Sequence, residues 1–213
     1  MSRAEQPSVL GKLASNLNGN EILVLACYER DTECYIIVGG NSVNIQVYSI
    51  RTCLLVTEME GHTDSVTCMV LDENILITGS DDHTIRLWNL RNFSPTGNIA
   101  AHEHAVQALV FMPESGVLLS CSQDREVVCW IYQKGRVLER FSKTEDLMCM
   151  EYIGEEGVLM LGTESGNILT HNVVHLINFQ NDGDWPQIED DYGDENDEQE
   201  EHKDQFGDDY DVL

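Results

Sequence analysis

Four segments of the chain repeat one pattern at a near-constant spacing, and a period of that length constrains the fold more than any single residue does. The segments are CYIIVGGNSVNIQVYSI, NILITGSDDHTIRLWNL, GVLLSCSQDREVVCWIY and GVLMLGTESGNILTHNV. Each reads as an apolar run, a small-residue step, a short polar turn and an alternating strand, which is the signature of a β-hairpin. Tyr48, Trp88, Trp130 and His171 hold the same place in the four units, with steps of 40, 42 and 41 residues. Val38, Thr78, Ser120 and Leu161 keep the same steps. Another strand-like run precedes each hairpin (EILVLACY, SVTCMVL, AVQALVF, DLMCMEYI), aligned on Ala26, Val66, Val106 and Leu147. A short strand follows, as in CLLVTEM and RVLERF.

Four strands in roughly 40 residues is the length of a propeller blade. Repeat two carries Gly61-His62 and then TGSDDHTIRLWN; repeat three carries His102 and then SCSQDREVVCWI. On these residues the chain resembles the WD-repeat β-propeller family. The likeness covers residues 20–178 or so and is strongest in repeats two and three. It departs from the family in reading Trp88-Asn89 and Trp130-Ile131 where a literal Trp-Asp pair would stand. The resemblance implies an all-β fold, a partial propeller of about four four-stranded blades. The blades are expected near residues 20–60, 61–101, 102–142 and 143–181, after a leader, 1–19, whose SVLGKL could lend one strand.

His62, Thr78 and Asp82 have the composition of a nucleophilic triad, and His102, Ser120 and Asp124 repeat it. A triad is defined by geometry and role, and an active site is not expected to recur in every blade. The resemblance implies a structural reading instead. His from the loop between blades, Ser or Thr from the second strand, Asp from the following turn and Trp from the third strand form a hydrogen-bonded tetrad. Its members here are His62, Thr78, Asp82 and Trp88, then His102, Ser120, Asp124 and Trp130. Repeats one and four lose it, with Val38, Ser42 and Tyr48, and Leu161, Ser165 and His171, at the corresponding places. Those two blades are expected to rely more on packing.

Charge is unevenly spread. The whole chain has 38 acidic and 12 basic residues, a net of −26, which disfavours direct binding to nucleic acid or to an anionic membrane surface. Residues 182–213 hold 15 acidic residues and a single basic one, Lys203. Such a segment has too little apolar surface to offset its ordering entropy, so a disordered acidic tail is expected. No run approaches 18 uninterrupted apolar residues, and the opening MSRAEQPSVLGKLASNLNGNE has no apolar region of the secretory kind. Seven cysteines at 27, 34, 53, 68, 121, 129 and 149 show no CxxC and lie mostly in apolar runs, which fits free thiols in a reducing compartment. No ligand cluster for a metal and no phosphate-binding loop is present, so neither metal nor cofactor is expected.

Seven blades of this length would need roughly 290 residues. The chain is therefore expected to be part of a larger propeller, a half-ring that pairs with another, or a complete small propeller. An open arc exposes sheet faces and edges, which invites self-association or pairing with further blades. The function implied is that of a non-catalytic protein-interaction scaffold, not an enzyme. The rim formed by the loops would carry Asp64, Asp81, His83, Glu103, His104, Gln123, Arg125 and Glu164, an acidic set suited to a basic surface or segment of another protein. A second reading makes the acidic tail the working part, a binder or chaperone of a basic client protein. The cytoplasm is the expected compartment, with nucleus and cilium as alternatives.

Overall fold

The computed structural model describes residues 21–30, 32–113, 115–154 and 156–177. The expected leader, 1–19, and the expected disordered tail, 182–213, lie outside the described residues. Blade 1 consists of β1 (Ile22–Arg30), β2 (Glu33–Gly40), β3 (Ile45–Ser49) and β4 (Leu55–Met59). Blade 2 consists of β5 (Val66–Asp72), β6 (Ile75–Ser80), β7 (Thr84–Asn89) and β8 (Ser94–Ala100). Blade 3 consists of β9 (Val106–Met112), β10 (Val117–Ser122), β11 (Glu126–Ile131) and β12 (Arg136–Ser142). Blade 4 consists of β13 (Leu147–Ile153), β14 (Val158–Thr163) and β15 (Ile168–Asn172). Each is an antiparallel meander in which sequential strands pair in order.

Two details differ from the sequence expectation. Among the described residues blade 4 has three strands where four were expected: after β15 the Asn172 side chain accepts the Val174 amide at 3.0 Å and the chain turns into the short helix α1 (Val174–Ile177). The register of the first strand in blade 1 is also shifted. Val66 pairs with Ser80, Val106 with Ser122 and Leu147 with Thr163, and the residue so placed in blade 1 is Ile22, paired with Gly40. Ala26 instead faces Ile37. The cause is the first hairpin, where pairing runs on to Arg30 and Glu33, so the first strand is longer than its counterparts.

Alternation along each first strand serves two cores at once, because successive side chains leave opposite faces of a strand. Val66, Met69 and Leu71 of β5 point back into a cluster with Ile37, Ile45 and Val47 of blade 1. Cys68 and Val70 of the same strand point forward into a cluster with Val106, Leu109 and Phe111 of blade 3. A third cluster joins Val117, Leu119 and Val127 of blade 3 to Leu147, Met150 and Leu159 of blade 4. Among the described residues the blades are thus held by three apolar seams, one between each consecutive pair, and no substantial strand contact joins blade 1 to blade 4.

Glycine in the second strand sets how closely the blades approach. A Cβ on Gly79 would lie 2.6 Å from Val106 Cγ1 of the next blade and 2.6 Å from Cys68 Sγ. A Cβ on Gly39 would lie 2.9 Å from Val66 Cγ1. The first-strand Val66 and Val106 therefore seat directly on bare backbone, whereas Cys121 holds the glycine's place in blade 3. Gly79→Ala is expected to destabilise the protein by about 1–3 kcal/mol through overpacking of this seam, read from denaturant melts.

Candidate functional site

The two best-formed repeats build the same polar chain. In blade 2, the b–c turn between β6 and β7 carries Asp82, and the loop before β5 carries His62. His62 Nδ1 lies 2.8 Å from Asp82 Oδ2, and its Nε2 lies 2.8 Å from Thr78 Oγ1. The Trp88 indole donates to the same hydroxyl at 2.9 Å. With Thr78 accepting from Trp88, its own proton goes to His62 Nε2, which leaves Nδ1–H to donate to Asp82. Asp82 also accepts from the Thr63 amide at 3.0 Å and from the Thr84 amide and hydroxyl at 2.9 and 2.6 Å. Blade 3 repeats these contacts: His102 to Asp124 at 2.9 Å, His102 to Ser120 at 2.8 Å and Trp130 to Ser120 at 2.9 Å.

Burial decides what this arrangement can do. The His62 and His102 side chains are 0% exposed and the Asp82 and Asp124 carboxyls 5% and 6%. Thr78 and Ser120 are fully buried, and each hydroxyl is already engaged by both an imidazole and an indole. No substrate carbonyl can reach either oxygen, so the residues that have the composition of a triad act as a clamp between turn, loop and sheet.

Desolvation lowers both imidazoles below their ordinary value of 6.5, against the pull of Asp82 and Asp124 toward the charged form. For Asp82, burial alone would raise the carboxyl. The hydrogen bonds from Thr84, the Thr63 amide and His62 outweigh it and hold the group at about 2. Asp124 is held down in the same way against its own burial, by the Glu126 and Glu103 amides and by His102.

The degenerate blades are wired differently. In blade 1, Tyr48 at the Trp position donates to Gln46 at 3.0 Å, and Gln46 donates to Glu58 at 2.8 Å. Ser42, at the Asp position, accepts the Asn44 amide at 3.2 Å. In blade 4, Lys143 takes the His place, its amide bonding the Arg125 carbonyl as the His102 amide bonds that of His83. Its ammonium lies 3.2 Å from His171 Nδ1, and the His171 ring stacks on Phe141 with centroids 3.9 Å apart. Glu145 accepts from Ser165 and from Asn167, so the carboxylate comes from the loop and the hydroxyl from the turn, the reverse of blades 2 and 3. Lys143 and Glu145 are the residues that sequence reasoning missed. Their distance from each hairpin is the available signal, but neither is of the residue type a tetrad pattern seeks.

The rim residues fall into groups. Glu103, His104, Gln123 and Arg125 line a shallow depression at the blade 3–blade 4 boundary, together with Asp124 and with Asp146, which was not singled out from sequence. Arg125 Nε donates to Asp146 Oδ1 at 2.7 Å, so the cation is tied across the blades. His83 joins this group through His104, the ring centroids being 6.1 Å apart. His83 and Arg125 have φ of 69° and 71°, the left-handed conformation that Gly166 adopts at the same turn position in blade 4. Asp64 and Asp81 form a second group, in which burial and then the Asp64 charge raise the Asp81 carboxyl. Glu164 is exposed on blade 4, its amide bonded to the Asp146 carbonyl at 3.0 Å.

A neutral, buried imidazole gives a signed pH dependence. The unfolded chain takes up protons at His62 and His102 before the folded one does. Stability is therefore full above about pH 6.5 and declines as pH falls below it, with a second decline below about pH 4 as Asp82 and Asp124 protonate in the unfolded state first. Denaturant midpoints between about pH 7.5 and about pH 5.5 should fall, and fall less in a His62→Gln variant. Thr78→Val should cost about 1–3 kcal/mol for each of the two buried groups it orphans, on His62 and Trp88.

Comparison with known proteins agrees with this geometry. Residues 52–89 and 93–130 match the family described as WD domain, G-beta repeat. Pre-mRNA-processing factor 19 of Mus musculus is 29% identical over 165 residues, 75% of this chain and 32% of that protein. Target of rapamycin complex subunit wat1 of Schizosaccharomyces pombe is 31% identical over 139 residues, 62% of this chain and 44% of that protein. The chain thus spans between about a third and under half the length of these relatives. Among solved structures, the computationally designed Ika4 protein superposes with a TM-score of 0.62 at 20% identity, covering 73% of this chain and 92% of the designed one, a likeness of fold alone. With repeats matched across blades 1 to 3 and four meander sheets packed in sequence order, the chain carries WD repeats and presents the fold of a partial WD-repeat propeller of four blades.

Proposed function

We propose that this chain is a non-catalytic scaffold whose acidic loop rim receives a basic surface or segment of another protein. The observation that carries the reading is the placing of Asp64 and Asp81 on adjoining loops, where the Asp81 amide bonds the Ser65 carbonyl at 2.9 Å; burial and then the charge of Asp64 raise the Asp81 carboxyl in keeping with it. Like-charge repulsion of this kind is relieved by a lysine or arginine supplied from outside, and opposite charge across a rim sets association rate and specificity more than affinity. Arg125 adds little to neutralise the rim, because Asp146 already engages it. The polar groups with a triad's composition are consumed in the two buried clamps, which supports a scaffold over an enzyme.

Cys68, Cys121 and Cys129 are free thiols, and burial pushes Cys68 and Cys129 up to about 12, so both stay protonated and inert. That supports a reducing compartment, the cytoplasm first and the nucleus or cilium as alternatives. No helix among the described residues is long and apolar enough to cross a membrane. The reading in which the acidic tail captures a basic client concerns residues outside the described ones, and deletion of 182–213 separates it from the rim reading.

A partner captured from cell extract provides the test. Asp64→Lys with Asp81→Lys should slow its association at low salt by about tenfold or more, with unfolding midpoints little changed because both residues sit in loops. The wild-type rate should fall as salt rises. A partner that binds the double variant as fast as the original chain at low salt removes the rim as the docking face.

A further inference from the structure

Three blade seams inside the chain repeat the same contacts, and each outer face of the blade series carries one unmatched half of that contact. On the first strand, Val66, Val106 and Leu147 are each 0% exposed, whereas Ile22, at the same register in blade 1, is 42% exposed. Leu25 lies on the same outward face at 57%, in the place that Met69, Leu109 and Met150 fill in the covered seams. On the third strand the situation reverses. Ile45, Ile85 and Val127 are each 0% exposed, whereas Ile168 of blade 4 is 69% exposed. Ile85 pairs with Gly79 and Val127 with Cys121, as Ile168 pairs with Gly162, so the positions correspond.

The glycine seat is unmatched as well. Gly39 is roofed by Val66, and Gly79 by Val106, of the following blade. Among the described residues, Gly162 has only Cys149 of its own blade within 4 Å of where its Cβ would stand. Among the described residues, blade 4 therefore presents an open seat flanked by Cys149 and Ile168, and blade 1 presents Ile22, whose counterparts Val66 and Val106 fill the glycine seats of the first two internal seams. At Ile22, Leu25, Cys149, Gly162 and Ile168 the two faces keep the apolar or small residue types of a covered seam, and exposed apolar surface of that kind marks an interface.

We propose that a second copy of this chain seats the Ile22 face of its blade 1 on the Gly162 face of blade 4, and accepts the reciprocal contact, so that two chains close one eight-bladed ring. The new contact is continuous with the blade–blade interface already described, since it brings together the same two half-contacts in the same order. It joins unlike faces, and such head-to-tail contacts form closed rings when the rotation permits and open filaments when it does not. Propellers typically close at four to eight blades, so units of four reach a closed ring with two copies. One residue opposes the fit: Glu151 lies on the open face of blade 4 at the register of Val70. The proposal does not depend on the acidic rim, which lies on the loop face and not on the outer faces of the blade series.

The solution mass of the full 213-residue chain tests this, with circular dichroism as the check on folding. The expected mass is twice the 24.0 kDa of one chain. Ile168→Asp should return it to a single chain with the same spectrum, because that side chain is exposed in the separate chain, and Glu151→Val should tighten the pair. Cys68 Sγ lies 3.9 Å from the Val106 carbonyl in an internal seam, so Ile22→Cys should form a disulfide with native Cys149 of the other copy. The crosslinked species should run as a dimer and disappear when Cys149→Ser is added. A single-chain mass at every concentration overturns the proposal, as does a crosslink that forms within one chain or a dimer that survives Ile168→Asp.

Discussion

A sheet of four short strands that is apolar on both faces cannot stand alone in water, and every other feature of this fold answers that constraint. A blade that faced water on one side would alternate apolar and polar residues. Here the first strands are apolar on both faces: Val66, Met69 and Leu71 look one way, Cys68 and Val70 the other. Each blade is therefore stable only as a neighbour. The seams are what the sequence spends its β-branched and small residues on, with Gly39 and Gly79 allowing the next blade to approach at backbone distance.

The polar clamps solve a different problem. Loops that cross from one blade to the next leave amides and side chains near a dry interior, and buried polar groups must be paired. His62 and His102 are held at both ring nitrogens, and Asp82 and Asp124 gather backbone amides from the loop and the turn together. A clamp so placed fixes the loops that form the rim without supplying any rim chemistry itself. Blade 4 reaches a similar end with Glu145 reaching from the loop to Ser165 and Asn167. The requirement is pairing of these polar ends, and the residue that supplies the carboxylate is free to change sides.

Much of this could be read from the sequence, for a definite reason. Trp88, Trp130 and their counterparts recur at a fixed step because each occupies the same contact in a stacked unit, so period and contact are one piece of information. What escaped was whatever does not recur. The shift of Ala26 against Val66 came from a longer first hairpin, and it puts Ala26 at the register of Val70, on the opposite face of the strand, because the bulge between Ile22 and Val24 breaks the alternation. Among the described residues no fourth strand follows β15, and the chain turns at Asn172 through a single side-chain hydrogen bond with no footprint in the period. Lys143 and Glu145 carry charges, which on a loop read as solvated surface until a partner such as His171 or Ser165 is seen beside them. Asp146 is legible only once Arg125 is known to reach across the seam.

The matched repeats do not coincide with the blades. Residues 52–89 take in β4, the outermost strand of blade 1, and then β5, β6 and β7 of blade 2; residues 93–130 take in β8 of blade 2 and most of the inner strands of blade 3. Every repeat is thus stitched into two sheets at once, like a brick laid across a joint. The unit that can be duplicated or lost in the gene is consequently not the unit that folds. Excising one repeat removes the edge of one sheet and the body of the next, and the flanking pieces rejoin as an intact blade one place further along. Growth by whole repeats therefore never leaves half a sheet behind, and the number of blades can change while every seam keeps its contacts.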